Sequence, residues 1–197
     1  MDLIFQIWGG LFYLANKILF ALSEGKPENI KKDFKIKGWA IYLLGVPAWV
    51  TILISHQDWI AASIEAGGIP AMLLGLYNTY HNNQKENKWF NKFVTLCTYS
   101  SLAFGLVFSV IHHGGIGSIS QVLEVGVMLG FLLGSYSIAK NNPVGWFFFM
   151  LMNLSMATLM LLQDKPILMA QQLVSLYFVV YGLKKSRAIS SSQELAN

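Results

Sequence analysis

Apolar runs of about twenty residues, each long enough to cross a hydrocarbon layer, alternate along this chain with short polar stretches. The runs cover 3–22, 38–55, 59–80, 90–111, 119–139, 145–162 and 167–183, and each predicts one helix. Strongly polar stretches, 23–37 (SEGKPENIKKDFKIK) and 81–88 (HNNQKENK), punctuate them. The weakest are the first, which carries Gln6, Asn16 and Lys17, and the last, which is short. The pattern predicts an all-α integral membrane protein with seven transmembrane helices.

Composition agrees: 54% of the 197 residues are apolar and 12% charged, a balance that leaves little room for a soluble domain. The first run has no basic n-region and no small-residue cleavage site, so it is expected to be retained rather than removed as a signal peptide. Charge then sets the orientation. If the runs alternate direction, one side holds Lys26, Lys31, Lys32, Lys35, Lys37, Lys85, Lys88, Lys92, Lys140, Lys184, Lys185 and Arg187, and the other only Lys165. By the positive-inside rule the chain lies in a cell inner membrane with its N-terminus extracytoplasmic and its C-terminus cytoplasmic. Trp39, Trp89 and Trp146 fall at cytoplasmic helix ends and Trp59 at the other face, as interfacial anchors would. The basic loops are explained by anionic lipid, so no nucleic-acid partner is expected.

An internal repeat organises the helices. At an offset of 107, Gly38–Trp39 meets Gly145–Trp146, Leu44 meets Leu151, Thr51 meets Thr158, Ile60 meets Ile167 and Gly75 meets Gly182. Runs two and three therefore echo runs six and seven, which predicts two parallel three-helix repeats joined by a linker helix. The repeats are 1–80 and 119–185, the linker helix is 90–111, and 186–197 form a cytoplasmic tail. Parallel repeats of this kind are a known architecture of small transporters. At an offset of 59, 64–83 also runs beside 123–142, sharing Glu65/Glu124, Gly67/Gly126, Gly75/Gly134 and Tyr77/Tyr136, a likeness open to history or to composition alone.

Glycines spaced by four, Gly126, Gly130 and Gly134, form a small-residue stripe suited to close helix packing. Polar groups at membrane depth point more directly to function. Asn153 lies midway along run six on the face of Trp146 and Met150, and its repeat counterpart is Val46, so it suits either a solute contact or an interhelical hydrogen bond. Gln171 and Gln172 open run seven, Gln172 opposite Glu65 in the repeat, and Glu124 sits at a similar depth. Such groups can receive hydroxyl or amide donors, with Tyr177 a turn deeper to stack on a planar ring. The two acids can instead relay a proton, reach outer water or cap helix ends. Tyr99, Ser100 and Ser101 lie midway in the linker helix, where Tyr99 either reaches the pore or only packs. Pro47 and Pro70 offer points of bending.

His112 and His113 lead into a glycine-rich loop, with no third ligand at metal-binding spacing. The single Cys97 excludes an intramolecular disulfide. No nucleophile elbow, phosphate loop or metalloprotease motif is present, so an enzyme and a bound cofactor are not expected.

The stretch 121–185, with LEVGVMLGFLLGSYSIAKNNPVGW, MLMNLS around Asn153 and QDKPILMAQQLVSLYFVVYGLKK, resembles the bacterial vitamin transporters typified by the PnuC nicotinamide riboside carriers, which share the SWEET-like 3+1+3 helix plan. The resemblance implies facilitated, alternating-access uptake of a vitamin precursor or nucleoside-like solute, nicotinamide riboside as type substrate. A separate cytoplasmic kinase would trap the product, and no nucleotide or obligatory ion would be needed. It implies solute contacts from Asn153, Trp146, Gln171, Gln172 and Tyr177, to which the reading of polar groups adds Glu124, Glu65 and Tyr99. The first half departs from it, with Val46 at the central position beside Pro47 and Trp49. The competing readings are a membrane scaffold or assembly protein without transport and a proton-coupled small-sugar carrier. Partners are then the solute, the lipid bilayer and, for bundles this small, further copies of the chain.

Overall fold

The computed structural model describes residues 2–55, 59–81, 87–113, 117–162, 164 and 166–194, and among these every regular element is helical. The helices are α1 (Asp2–Ser23), α2 (Glu28–Ser55), α3 (Trp59–Gly67), α4 (Ile69–Tyr80), α5 (Lys88–His113), α6 (Ile119–Ala139), α7 (Gly145–Leu162) and α8 (Pro166–Glu194). Runs five and six of the sequence have the same bounds as α6 and α7. Run three divides at Gly67–Gly68, and Pro70 falls in the first turn of α4, where a missing N–H leaves no bond unmade. α2 starts ten residues before the apolar run, with Glu28 in its first turn and Lys37 paired with Asp33 at 2.6 Å one turn earlier. α8 runs on to Glu194, so residues 186–194, expected as a tail, extend the last helix. His112 and His113 close α5 instead of entering a loop. Lys85 and Lys165 lie outside the described residues.

Among the described residues two helices, α6 and α7, are long and apolar enough to cross a membrane, and 7–23 form a shorter apolar helical stretch. Large apolar side chains also face outward along several helices, among them Leu11, Leu44, Leu96, Phe108, Leu154 and Leu161.

Side-chain pairs fix the helix directions. α1 and α2 are antiparallel, with Asn16 Nδ2 donating to Gly38 O at 3.1 Å near one end and Gly9 against Trp49 near the other. α6 and α7 are antiparallel too, with Gly126 against Ser155 and Gly134 against Phe149. α1 and α8 run parallel, Gly10 beside Gln171 and Gly25 beside Lys185. So do α4 and α6, with Gly68 on Phe131 and Asn78 Nδ2 donating to Ala139 O at 2.8 Å. α5 lies antiparallel to α6, with Gly105 on Met128 and Thr95 Oγ1 2.7 Å from Tyr136 Oη. The turns at Gly25 and Lys140–Val144, the end of α4, the start of α5 and the end of α8 therefore share one end of the bundle, together with the described basic residues other than Lys17.

The pairings α1 with α2 and α6 with α7 are the most extensive in the bundle, α8 packs on α1 and α7, and α4 on α2 and α6. Contacts recur at positions 107 apart. Trp39 lies across Gly75, and Trp146 across Gly182, each indole where a Cβ would otherwise stand. Both rings are 1% exposed. These two tryptophans, expected as interfacial anchors, are core residues because the facing glycines leave an open slot; Trp89 alone of the three is exposed. Gly38 is met by Phe20 and Gly145 by Ile138. The two reversals are alike as well: Gly25 (φ 76°) and Asn141 (φ 54°) take the left-handed conformation that ends a helix sharply.

Candidate functional site

The interior between α1, α2, α6 and α7 holds a basic side chain. Lys17 is 1% exposed, and its Nζ lies 3.3 Å from the centroid of the Phe149 ring and 4.7 Å from that of Tyr42. Tyr42 and Phe149 stand 107 residues apart and both are fully buried. Ser135 stands three residues before Ile138 as Lys17 stands three before Phe20, and its Oγ is 3.3 Å from Tyr42 Oη. Lys17 thus meets the aromatic rings of both α7 and α2, and Ser135 that of α2. A cation over a ring face is attracted by the π quadrupole, but Nζ has no hydrogen-bond partner. Glu24, seven residues further on, is engaged by Lys31 at 3.7 Å and Lys35 at 3.8 Å.

The surrounding rings carry further polar atoms without partners. Tyr13, one turn from Lys17, packs edge-on to Tyr42 at 4.9 Å and against Trp49 at 5.8 Å. Gly45 and Gly9 make these approaches possible, since a Cβ there would come within 2.8 Å of the Tyr13 ring and 2.9 Å of Trp49 Nε1. Tyr13 Oη and Trp49 Nε1 are both buried and unpaired. Asn153 is 0% exposed; its Nδ2 donates to Phe149 O at 2.6 Å, which leaves Oδ1 buried and unpaired. Buried polar atoms are nearly always satisfied, and each one left unmade costs about 1–3 kcal/mol. Four of them around linked aromatic rings make a site whose chemistry is incomplete in the protein alone: an ammonium and an indole N–H to donate, an amide oxygen to accept, a phenol to do either, and flat ring walls. Asn16, beside Lys17, likewise keeps Oδ1 unpaired.

At the basic end a small recess of about 90 Å³ is floored by Trp146 and walled by Glu24, Lys31, Lys35 and Asn141. Lys35 Nζ donates to Asn141 Oδ1 at 3.2 Å, joining the start of α2 to the turn before α7. Burial lowers the Lys35 ammonium pKa, and the Glu24 carboxylate opposes that shift. The ends of α1 and α8 away from this recess are tied by Gln171 Nε2 donating to Gly10 O at 2.9 Å.

Of the residues expected to contact a solute, the structure brings Asn153 into this interior, while Trp146 packs on Gly182 of α8 and lines the recess at the basic end. Gln171 serves the α1–α8 contact, and Gln172 is half-buried on the same helix. Tyr177 is 67% exposed and faces away from the bundle, because it stands two residues, close to half a turn, from the fully buried Val179. Tyr99 is 55% exposed and lines an outer groove of about 590 Å³ with Lys88, Lys92, Thr95 and Lys140, so it faces the surface and not a pore. Glu124 is exposed, whereas Glu65 Oε1 is buried without a partner on α3. The sequence reading missed Lys17, Tyr13, Tyr42 and Trp49. The signal for Lys17 was present, an ionisable residue inside an apolar run, but it counted there only against the run. No family model, curated protein or solved structure matches the chain.

Proposed function

We propose that this chain is a multi-pass membrane carrier with seven spans, α3 and α4 forming one of them. Two three-helix units joined by α5 would move a vitamin precursor or nucleoside-like solute by facilitated, alternating-access diffusion, and no catalysis is assigned to it. Outward-facing apolar side chains on several helices support a lipid surround, and gathering of the basic residues at one end supports a cytoplasmic assignment for that end in an inner membrane. The matched contacts of Trp39 with Gly75 and Trp146 with Gly182 support the two-unit plan.

The observation that carries the reading is the group of unpaired, buried polar atoms on Tyr13, Lys17, Trp49 and Asn153, where the first two helices of one unit meet those of the other. A structural core of this size gains nothing from leaving them unmade, whereas a solute that pairs them converts that deficit into affinity. A small recess on the basic side and the Gln171–Gly10 tie on the other are the points that must open in turn. Release on the cytoplasmic side followed by phosphorylation in a separate kinase would make uptake directional.

Purified chain reconstituted into liposomes should admit a labelled member of a panel of nicotinamide riboside, nicotinate, thiamine, riboflavin, pantothenate and deoxynucleosides. The same compound should raise the chain's thermal stability by mass action, and Asn153→Leu and Trp49→Phe should abolish both effects. A folded chain that neither binds nor passes any of them would return the scaffold reading to first place. The unpaired Glu65 Oε1 favours a second version in which uptake is proton-coupled; collapse of the proton gradient would then slow accumulation.

A further inference from the structure

The chemistry around Lys17 narrows the solute. Its amine is enclosed by two aromatic faces, which attract a cation, and no carboxylate pairs with it. Glu24 is taken up by two other lysines nearer the basic end. A permanently cationic ring would meet a like charge here, with no acid beside Lys17 to offset it. A solute bearing an anion would supply the missing counter-charge in a dry site, where charge-assisted hydrogen bonds are strongest. Bilayer phosphate is not a candidate for that role, since Lys17 is shielded from the surface of the bundle behind Tyr42 and Phe149.

Resting on the transport reading above, we infer that the solute carries a carboxylate or phosphate that pairs with the Lys17 ammonium, joined to a planar or compact apolar body. At its other pole it carries a hydroxyl or amide N–H for Asn153 Oδ1. Trp49 Nε1 and Tyr13 Oη supply the remaining partners, and both lie on the ring network that contacts Tyr42. Nicotinamide riboside, a pyridinium cation without an acid, is thereby disfavoured against acids of similar size.

The test is a set of matched pairs on the full chain in neutral detergent: nicotinate against nicotinamide, and nicotinic acid riboside against nicotinamide riboside, read by thermal stabilisation and by uptake in liposomes. The acid of each pair should bind at least about tenfold more tightly, the ratio that 1.4 kcal/mol represents. That preference should vanish in Lys17→Met and return at least in part in Lys17→Arg. Binding and uptake of the amide or cation, equal to or better than the acid and unchanged in Lys17→Met, would overturn this inference and leave the transport reading standing. Absence of binding and uptake for every compound in both panels, with folded protein, would overturn both.

Discussion

Replacing Lys17 by methionine separates a functional lysine from a structural one through the sign of its effect on stability. The unpaired amine is 1% exposed, and a buried polar group left without a hydrogen-bond partner costs about 1–3 kcal/mol, more if it carries a charge. Its two ring contacts, at 3.3 and 4.7 Å, attract only the charged form and offset that cost in part. The difference, about 1–3 kcal/mol, disappears when an unbranched thioether of similar length fills the same space and keeps contact with Phe149 and Tyr42. At about 2–4 °C per kcal/mol for a chain of this length, Lys17→Met should melt about 2–12 °C above the unmodified protein while losing its preference for an acidic solute. Intrinsic tryptophan fluorescence against temperature, in one detergent at one protein concentration, reads the shift. A folded Lys17→Met protein that melts lower than the original would refute the reasoning, because the amine would then anchor the fold and the unpaired site would not be a stored deficit.

Packing gives three further expectations. Gly130→Ala places a Cβ 2.5 Å from Phe148 O and Met152 N, backbone atoms that cannot swing aside, so it should lower stability by about 1–3 kcal/mol, whereas Gly117→Ala, with open space around it, should stay within about 0.5 kcal/mol in the same melt. Gly75→Ala and Gly182→Ala should destabilise to similar extents, and Trp39→Phe should relieve the first but not the second, a coupling read from a double-mutant cycle. Tyr177→Ala and Tyr99→Ala should leave solute affinity unchanged in the thermal-shift titration, since both rings face outward; a loss of affinity in either would return that residue to the site.

Local pattern determined much of the scaffold. The bounds of α6 and α7 are legible because an apolar run ends where Ser118, Lys140, Asn142 and Pro143 supply caps and breakers, signals that act within one turn. The same logic failed where polarity and helicity part company: α2 extends through Asp33 and Lys37 and α8 through Lys185, because good helix formers continue a helix beyond the apolar surface that first reveals it. The 107-residue echo located Trp39, Gly75, Trp146 and Gly182 without stating that the indoles lie on the glycines.

What the sequence could not assign was facing. Hydropathy sets which residues avoid water, but in a helix apolar on every side nothing local separates the side turned to a neighbouring helix from the side turned outward. Tyr177 and Tyr42 are both tyrosines within apolar runs, and only the packing of the helices, α8 on α1 and α7 and α2 on α1 and α4, exposes the first and buries the second. Lys17 depends on the same packing: along the chain it is a charge spoiling an apolar run, and between the rings of Tyr42 and Phe149, brought together from positions 107 apart, it becomes the centre of the candidate site. Close approach at glycines fixes those helix positions, and so decides which polar atoms are left unpaired together.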